Sequence, residues 1–472
     1  MTHRSARWAL LILALTLAVV FYRLLLGEVF FWGLPALQFV PWRQFAFDTL
    51  RAGYLPLWNP YNGAGAPLFA NYQSALLYPL NWPGFFLPLA WQMSVTAVLH
   101  LFIAGWGMWA FTGRLGLPAV GRGLSTLAFG LTSYLVARLG TYPTISAAAW
   151  LPWLLWAVLG VLTRQQRRDL GWLALFAGLQ LLAGHAQTTW YSLLLVGLFA
   201  VWWTITHRPI NGRRLVLIVG ALLLGAGIAA LQLLATGELL LQSQRSGGVD
   251  YDFAMNFSYA PSRVLNLLSP NIFGNPGDGT YITKGAFFED AVYIGLIPLV
   301  SALAAVVLWL WRKLRRVECP PYFVTVAFWL IVVVIGFVMA LGKNAPVFPF
   351  LYEHIPTFDL FQAPVRWHLW TVFGLSVLAG IGVGAWERGK WQLFWTRLLT
   401  AGCLGAVLLA LFAPRFLPPD VSGNDGVRVL IQAVIFTGIM GALAGRLNAD
   451  SARTRHALAF LVVAGRAAAG GF

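Results

Sequence analysis

Carboxylates are scarce in this chain, and with some of its arginines they gather in a few places. Glu28 and Asp48 share one stretch, and Glu238, Arg245, Asp250, Asp252, Arg263, Glu289 and Asp290 lie in or beside a second. Lys343, His354, Asp359 and Arg366 mark a third, with Arg138 and His185 in short turns between apolar runs. A carboxylate can take the proton of a hydroxyl or amine within hydrogen-bond reach, and an arginine fork matches the oxygens of a phosphate. The two together suit transfer from a phosphate leaving group to an acceptor hydroxyl or amine. Blander readings exist for several of these residues. Arg138 and Arg366 stand where arginines snorkel from span ends, His185 in GHAQ suits a helix cap, and Asp250 and Asp252 suit a solvated loop. No HExxH, Cys/His cluster, P-loop or GxGxxG ahead of a helix occurs. No cofactor is expected, and no motif supports a divalent metal. The NFS sequon at Asn256 is a chance-level match.

The elements that must position these groups are membrane spans. Of 472 residues, 59% are apolar and 10% charged, with mean hydropathy +0.72. A soluble domain carries about 25% charged residues, so this is a polytopic membrane protein. The net charge of +16 sits mostly in loops on the side of the N-terminus, as the positive-inside rule requires, and calls for no nucleic acid. Two cysteines, Cys319 and Cys403, make no disulfide framework. MTHRSAR and the apolar run after it lack a small-residue cleavage site, which predicts an uncleaved first span with a cytoplasmic N-terminus.

About 12 spans are expected in a single all-α transmembrane domain over residues 1–472. They run Trp8–Leu26, Leu87–Phe111, Leu124–Leu139, Ser146–Leu162, Leu170–Ala183, Thr188–Ile205, Leu215–Ala235, Ala291–Trp311, Phe323–Leu341, Trp367–Trp386, Leu398–Phe412 and Val429–Ala444. This alternation puts three long loops on the outer side, over 28–83, 237–288 and 342–366. The tail, 456–472, reads as the start of a further span. Charges inside the spans are almost absent, with Gln180 and Gln232 the main polar residues at depth, which argues against ion-coupled transport.

The first loop is broken by seven prolines between Pro35 and Pro83 and cannot cross as a regular helix. Within it, Pro41–Ala52 is expected to be an interfacial helix, with proline in its first turn and Gly53 just past its end. Phe39, Trp42, Phe45, Ala46 and Leu50 fall on one face; Gln44, Asp48 and Arg51 fall on the other. Beyond Gly53, glycines, prolines and asparagines impose turns, while Trp58, Tyr61, Tyr72 and Tyr78 supply flat rings.

The blocks QFVPWR, GYLPLWNPYNGAGAPLFANYQSALLYPLN, GHAQTTWY, SQRSGG, PSRVLNLLSPNIFG, FFEDAVYIGLIPL and APVRWHLW cover most of Gln38 to Trp370. In this order they resemble the YfhO family of bacterial membrane proteins, related to the GT-C class of lipid-linked glycosyltransferases. The resemblance implies a GT-C-like bundle in the bacterial cytoplasmic membrane, moving a sugar from a polyprenyl phosphate to an envelope glycopolymer or glycolipid. It also implies a catalytic acid in the first outer loop, commonly Asp right after a glycine; here Leu34 follows Gly33. Asp48 is therefore the first candidate base and Glu28 the second, with Glu289 a site carboxylate from the second loop. Arg245, Arg263 and Arg366, with His185 and Gln187, would hold the donor phosphate, and Trp58, Asn59, Tyr61 and Asn71 would shape the sugar pocket. The alternatives are a carrier of lipid-linked substrates and a catalytically inactive relative.

Overall fold

In hydrocarbon the backbone must satisfy its own polar groups, so the apolar runs become helices. The computed structural model describes residues 4–387, apart from 32, 165, 208–210, 283–284 and 319. The chain opens with α1 (Arg4–Val20) and the short α2 (Tyr22–Leu25); a π-helical turn, Pro35–Phe39, then leads into α3 (Val40–Arg51). Next come α4 (Leu89–Arg114), α5 (Ala119–Gly130), α6 (Ser133–Val136), α7 (Tyr142–Ala148) and α8 (Leu151–Arg164). They are followed by α9 (Arg167–Leu182), α10 (Ala186–Thr206), α11 (Gly212–Ile228) and α12 (Ala230–Leu241). The last five are α13 (Tyr251–Ala254), α14 (Leu296–Arg315), α15 (Val326–Ala340), α16 (Val347–His354) and α17 (His368–Glu387). Among the described residues one small antiparallel pair occurs, Trp58–Asn59 with Ala66–Pro67.

Six helical segments in the described region are long and apolar enough to cross a membrane. A seventh is the pair α11 and α12, which bends by 79° at Ala229 rather than running straight over Leu215–Ala235. Three expected spans fall short of that length: α1, α5 and α9 have 17, 12 and 16 residues, against the roughly 20 that a bilayer needs. The spans expected at 398–412 and 429–444, the tail and Cys403 lie outside the described residues, as does Cys319.

The core is organised around α17, which packs against α5, α14 and α15. Its glycines let backbones approach: Gly380 faces Ser125 and Gly121 of α5, Gly382 faces Ser301 of α14, and Gly336 of α15 receives Thr371 and Trp370. Small residues at helix contacts are how membrane helices gain dispersion energy where lipid is as apolar as leucine. Phe111, Phe199, Trp329 and Phe373 fill the space between α4, α10, α15 and α17 with edge-on and stacked rings.

Two departures from helix matter for function. The expected third span does not continue to Leu139: α5 stops at Gly130, and Thr132 caps the one-turn α6. The expected eighth span does not begin at Ala291 either. Gly295, at φ +100°, starts α14 late, which leaves 290–294 in non-helical backbone. That segment is pinned to α6, where Ser133 N–H donates to the Tyr293 carbonyl at 2.9 Å and Tyr293 N–H to Ser133 Oγ at 2.7 Å.

Candidate functional site

This pinning carries Glu289 to Arg138, which sits just past α6. Arg138 Nη2 donates to Glu289 Oε2 at 2.8 Å and to its carbonyl at 3.1 Å, and Nη1 donates to the Tyr134 carbonyl at 3.0 Å. The guanidinium lies 3.8 Å over the Tyr134 ring. The other carboxylate oxygen, Oε1, accepts from Arg366 Nε at 2.9 Å and Nη2 at 2.6 Å. Arg366 is delivered from the third loop by a tight turn: Ala363 takes a left-handed φ of +61°, and Pro364 opens a 3-10 turn leading into α17. A non-glycine residue held in that region is strained, and such strain gathers where side chains must be aimed.

Around this pair Gln187 closes a network. Its Oε1 accepts from Arg366 Nη1 at 2.9 Å, while its Nε2 donates to the Tyr191 hydroxyl at 2.8 Å and the Gln362 carbonyl at 2.5 Å. His185 caps α10, its Nδ1 accepting from the Thr188 N–H at 3.1 Å. Burial, reinforced by the nearby Arg366 charge, pushes His185 down to about 3, so the ring is neutral and carries its proton on Nε2. The next residue after Glu289 repeats the pattern, with Asp290 accepting from Arg263 and, at 3.0 Å, from the Tyr281 hydroxyl.

The electrostatics of the two neighbouring carboxylates diverge. Burial alone would raise Glu289, but the charges of Arg138 and Arg366, with their hydrogen bonds, hold it down at about 2. Asp290 goes up, because burial outweighs the single Arg263 beside it. Glu289 is thus a fixed anion that organises two cations, whereas Asp290 keeps more affinity for a proton. Arg138, Arg366 and Glu289 together carry one net positive charge.

Glu289, Arg366, His185 and Gln187 therefore come together, with Arg263 paired to Asp290, the residue after Glu289. The other sequence candidates stand elsewhere. Asp48 is exposed on α3, bonded to Arg51 at 2.7 Å and Gln44 at 2.9 Å. Glu28 is exposed and pairs with Arg23 at 2.8 Å. Arg245 is exposed, 5.3 Å over the Phe253 ring. The four pocket candidates of the first loop fold it locally. Trp58 covers Gly65, Asn59 Oδ1 accepts from the Tyr61 N–H at 3.0 Å, Tyr61 meets Phe45 edge-on, and Asn71 caps the turn at Tyr72–Ser74.

The first loop nevertheless reaches the cluster's neighbourhood. The Tyr72 hydroxyl donates to the Leu181 carbonyl at 2.5 Å, and Gly184, beside His185, leaves room for the Tyr72 carbonyl. From α12, Gln232 and Thr236 donate to the Phe69 and Ala70 carbonyls at 2.9 Å. Sequence reasoning named Arg138 and Asp290 among the charged groups without giving either a role in the site, and left Arg43 out. Arg138 is buried in an ion pair rather than snorkelling; Asp290 was passed over beside Glu289, though FFED is the one acidic pair at an apolar run; and Arg43 is inside. The buried face of α3 centres on Arg43, Ala46 and Phe47, not on Trp42 and Phe45. Among the described residues, no group of three or more His, Cys, Asp or Glu is placed to hold a metal.

No protein-family profile matches the sequence, and no curated protein sequence matches it. Solved structures do. ArnT from Cupriavidus metallidurans bound to undecaprenyl phosphate is similar with TM-score 0.50 and 13% identity, over 98% of this chain and 75% of that one. The same protein in the apo state gives 0.47 and 12%, over 91% and 70%. The Archaeoglobus fulgidus oligosaccharyltransferase in the apo form gives 0.43 and 11%, over 93% and 56%. The likeness to the first is one of fold, and the bundle is GT-C-like.

Proposed function

We propose that this chain is a YfhO-type membrane glycosyltransferase, moving a sugar from a polyprenyl phosphate to an envelope acceptor at the outer face of the bacterial cytoplasmic membrane. The observation that carries the reading is the buried Arg138–Glu289–Arg366 cluster, set at a loop-bearing end of a bundle that shares its fold with an undecaprenyl-phosphate-bound protein. The N-terminus is cytoplasmic in this reading, and α3 lies in the outer interface with Gln44, Asp48 and Arg51 exposed.

The donor's tail occupies the bilayer and its phosphate lies at the surface. The acceptor oxygen or nitrogen attacks the anomeric carbon from the side opposite the phosphate. One bond forms as the carbon–oxygen bond to phosphate breaks, the electron pair leaves on the phosphate, and the configuration inverts. The acceptor proton passes to a first-loop carboxylate, Asp48 before Glu28, because both are exposed carboxylates that water and substrate can reach. Arg366, Arg263 and Arg245 offset the leaving charge, and Gln187 and His185 line the approach. Trp58, Asn59, Tyr61 and Asn71 shape the sugar's side. Glu289 is unsuited to accept the proton, since two guanidiniums hold it as an anion down to about 2; its role is to position them.

A second reading, an inactive relative that serves as a structural membrane protein, draws on one observation. Asp48 and Glu28 each pair with a surface arginine, and neither shares a hydrogen bond with Glu289 among the described residues. Membranes holding this chain and a radiolabelled polyprenyl-phosphate sugar separate the two. The transferase moves label out of the lipid fraction and loses that ability in Asp48→Asn or Glu28→Gln. An intact donor with all three folded, inserted proteins establishes the inactive relative.

A further inference from the structure

Helix α12 is inverted for a helix that meets water. Gln232 is 1% exposed, and its Nε2 donates to the Phe69 carbonyl at 2.9 Å and to Thr236 Oγ1 at 3.0 Å; the Thr236 hydroxyl donates in turn to the Ala70 carbonyl at 2.9 Å. On the other side Leu231, Leu234 and Leu241 are 63%, 74% and 78% exposed, recurring at i, i+3 and i+10 along one face. A helix that turns its amide and hydroxyl toward protein and its leucines outward fits surroundings as apolar as leucine, since water favours the opposite arrangement.

The direction of α12 follows from α11. That helix has 17 residues, with Arg213 and Arg214 in its first turn, and its rise of about 25 Å comes close to the roughly 30 Å of a hydrocarbon core. Its exposed apolar side chains, among them Val216, Leu223, Leu224 and Ile228, lead on to Leu231. At the buried Ala229 the chain turns by 79°, so with α11 crossing the bilayer α12 lies near the membrane plane. Glu238 is exposed on the leucine side, where an in-plane helix leaves it at the head groups. The polar side meets the first loop just before its turn toward the cluster: Phe69 and Ala70 precede the Asn71-capped turn, whose Tyr72 carbonyl lies against Gly184, beside His185.

We propose that α12 is a shelf seated on lipid. It lies in the plane of the leaflet on the first loop's side, its Leu231, Leu234 and Leu241 face rests against acyl chains, and through Gln232 and Thr236 it fixes the depth of residues 69–72 relative to the bilayer. The seat goes beyond the transferase reading and does not need it. Under that reading, a donor held at the surface by its tail and a loop held by α12 take their depth from the same leaflet.

The test uses the full chain in phospholipid nanodiscs, with Cys319 and Cys403 replaced by serine and a nitroxide on one introduced cysteine. Collision rates with oxygen and with a water-soluble nickel chelate give the depth of each label. Oxygen is expected to dominate at Leu231→Cys, Leu234→Cys and Leu241→Cys, at depths within about 3 Å of one another for a helix turned by 79°. On α11, Val216→Cys and Leu223→Cys should differ by about 10 Å. A change of about 15 Å from 231 to 241 means a straight span, nickel dominating at all three means water, and access to neither means that protein covers the face; each overturns the proposal. The hold on the first loop has its own arm. Gln232→Leu with Thr236→Val removes both donors and nearly keeps their shape, and amide exchange over 68–75 should quicken about 10-fold, whereas Thr236→Ser alone, which keeps the hydroxyl, should leave it unchanged. Exchange at the wild-type rate in the double variant overturns that hold. Sugar transfer enters none of these outcomes, so the transferase reading stands or falls apart from them.

Discussion

The two polar regions of the described chain solve opposite problems. Around Glu289 each charge has a partner: Arg138 and Arg366 share its two oxygens, Gln187 takes the remaining Arg366 donor, and Arg263 answers Asp290. In the first loop the carboxylates are exposed and loosely paired, and the one deeply buried charge, Arg43, has no anion. In the first region the charges are paired with one another. In the second, Arg43 is buried with one hydrogen bond, to the Ser74 carbonyl, and no carboxylate among the described residues. The difference separates charges paired far along the chain from charges held locally or left without a carboxylate among the described residues, although both sets look alike as letters.

The sharpest break of this comparison is Glu289→Gln. It leaves the buried Arg138 and the part-buried Arg366 without their anion, and losing one member of a buried ion pair costs about 3–5 kcal/mol. We expect a large fall in thermal midpoint or failure to accumulate in the membrane. The same change in an Arg138→Met background should cost clearly less, because only one cation is then orphaned. Equal costs in the two backgrounds would mean that Arg138 and Glu289 do not act as a unit.

Acid comes next in size. Glu289 lies at about 2 in the folded chain against an ordinary value of 4.5. A depressed carboxylate contributes stability that is present above the ordinary value and lost as pH falls through the folded one. The midpoint of wild type should therefore decline from about pH 4.5 down to about 2, and the decline should flatten in Glu289→Gln. Asp290 opposes it weakly, since its shift is upward. A slope unchanged by the substitution would move the acid sensitivity to other groups.

How much of this could be read from letters follows from what each feature depends on. The six apolar segments long enough to span and the helical stretch Val40–Arg51 are set by local periodicity, which a sequence shows directly. The bend at Ala229 was not legible, as neither proline nor a polar break marks it. Arg138 looked like a snorkelling anchor because its partner lies 151 residues away, and only the pinning of 290–294 to α6 brings the two together. Arg43 was overlooked for a different reason. It sits inside an amphipathic helix whose aromatic face seemed to be Trp42 and Phe45, and a rotation of one position in register exchanges an arginine for a tryptophan in the core.

The smallest structural effect is the most informative for function. Asp48 is more than half exposed and its ion pair with Arg51 is three residues along one helix; exposed pairs of this kind contribute about 0–1 kcal/mol. Asp48→Asn should therefore leave the midpoint and membrane insertion within about 0.5 kcal/mol of wild type, while retaining the Gln44 contact through its remaining carbonyl oxygen. If Asp48 takes the acceptor's proton, the same change removes sugar transfer. If transfer runs at wild-type rate in Asp48→Asn and stops in Glu28→Gln, the base is Glu28. If it survives both, neither first-loop carboxylate is the base, and Asp290 becomes the group to test, because it alone of the paired carboxylates beside the cluster has its proton affinity raised. A variant that is silent in stability and decisive in turnover would show that the loosely held region is the one that meets substrate.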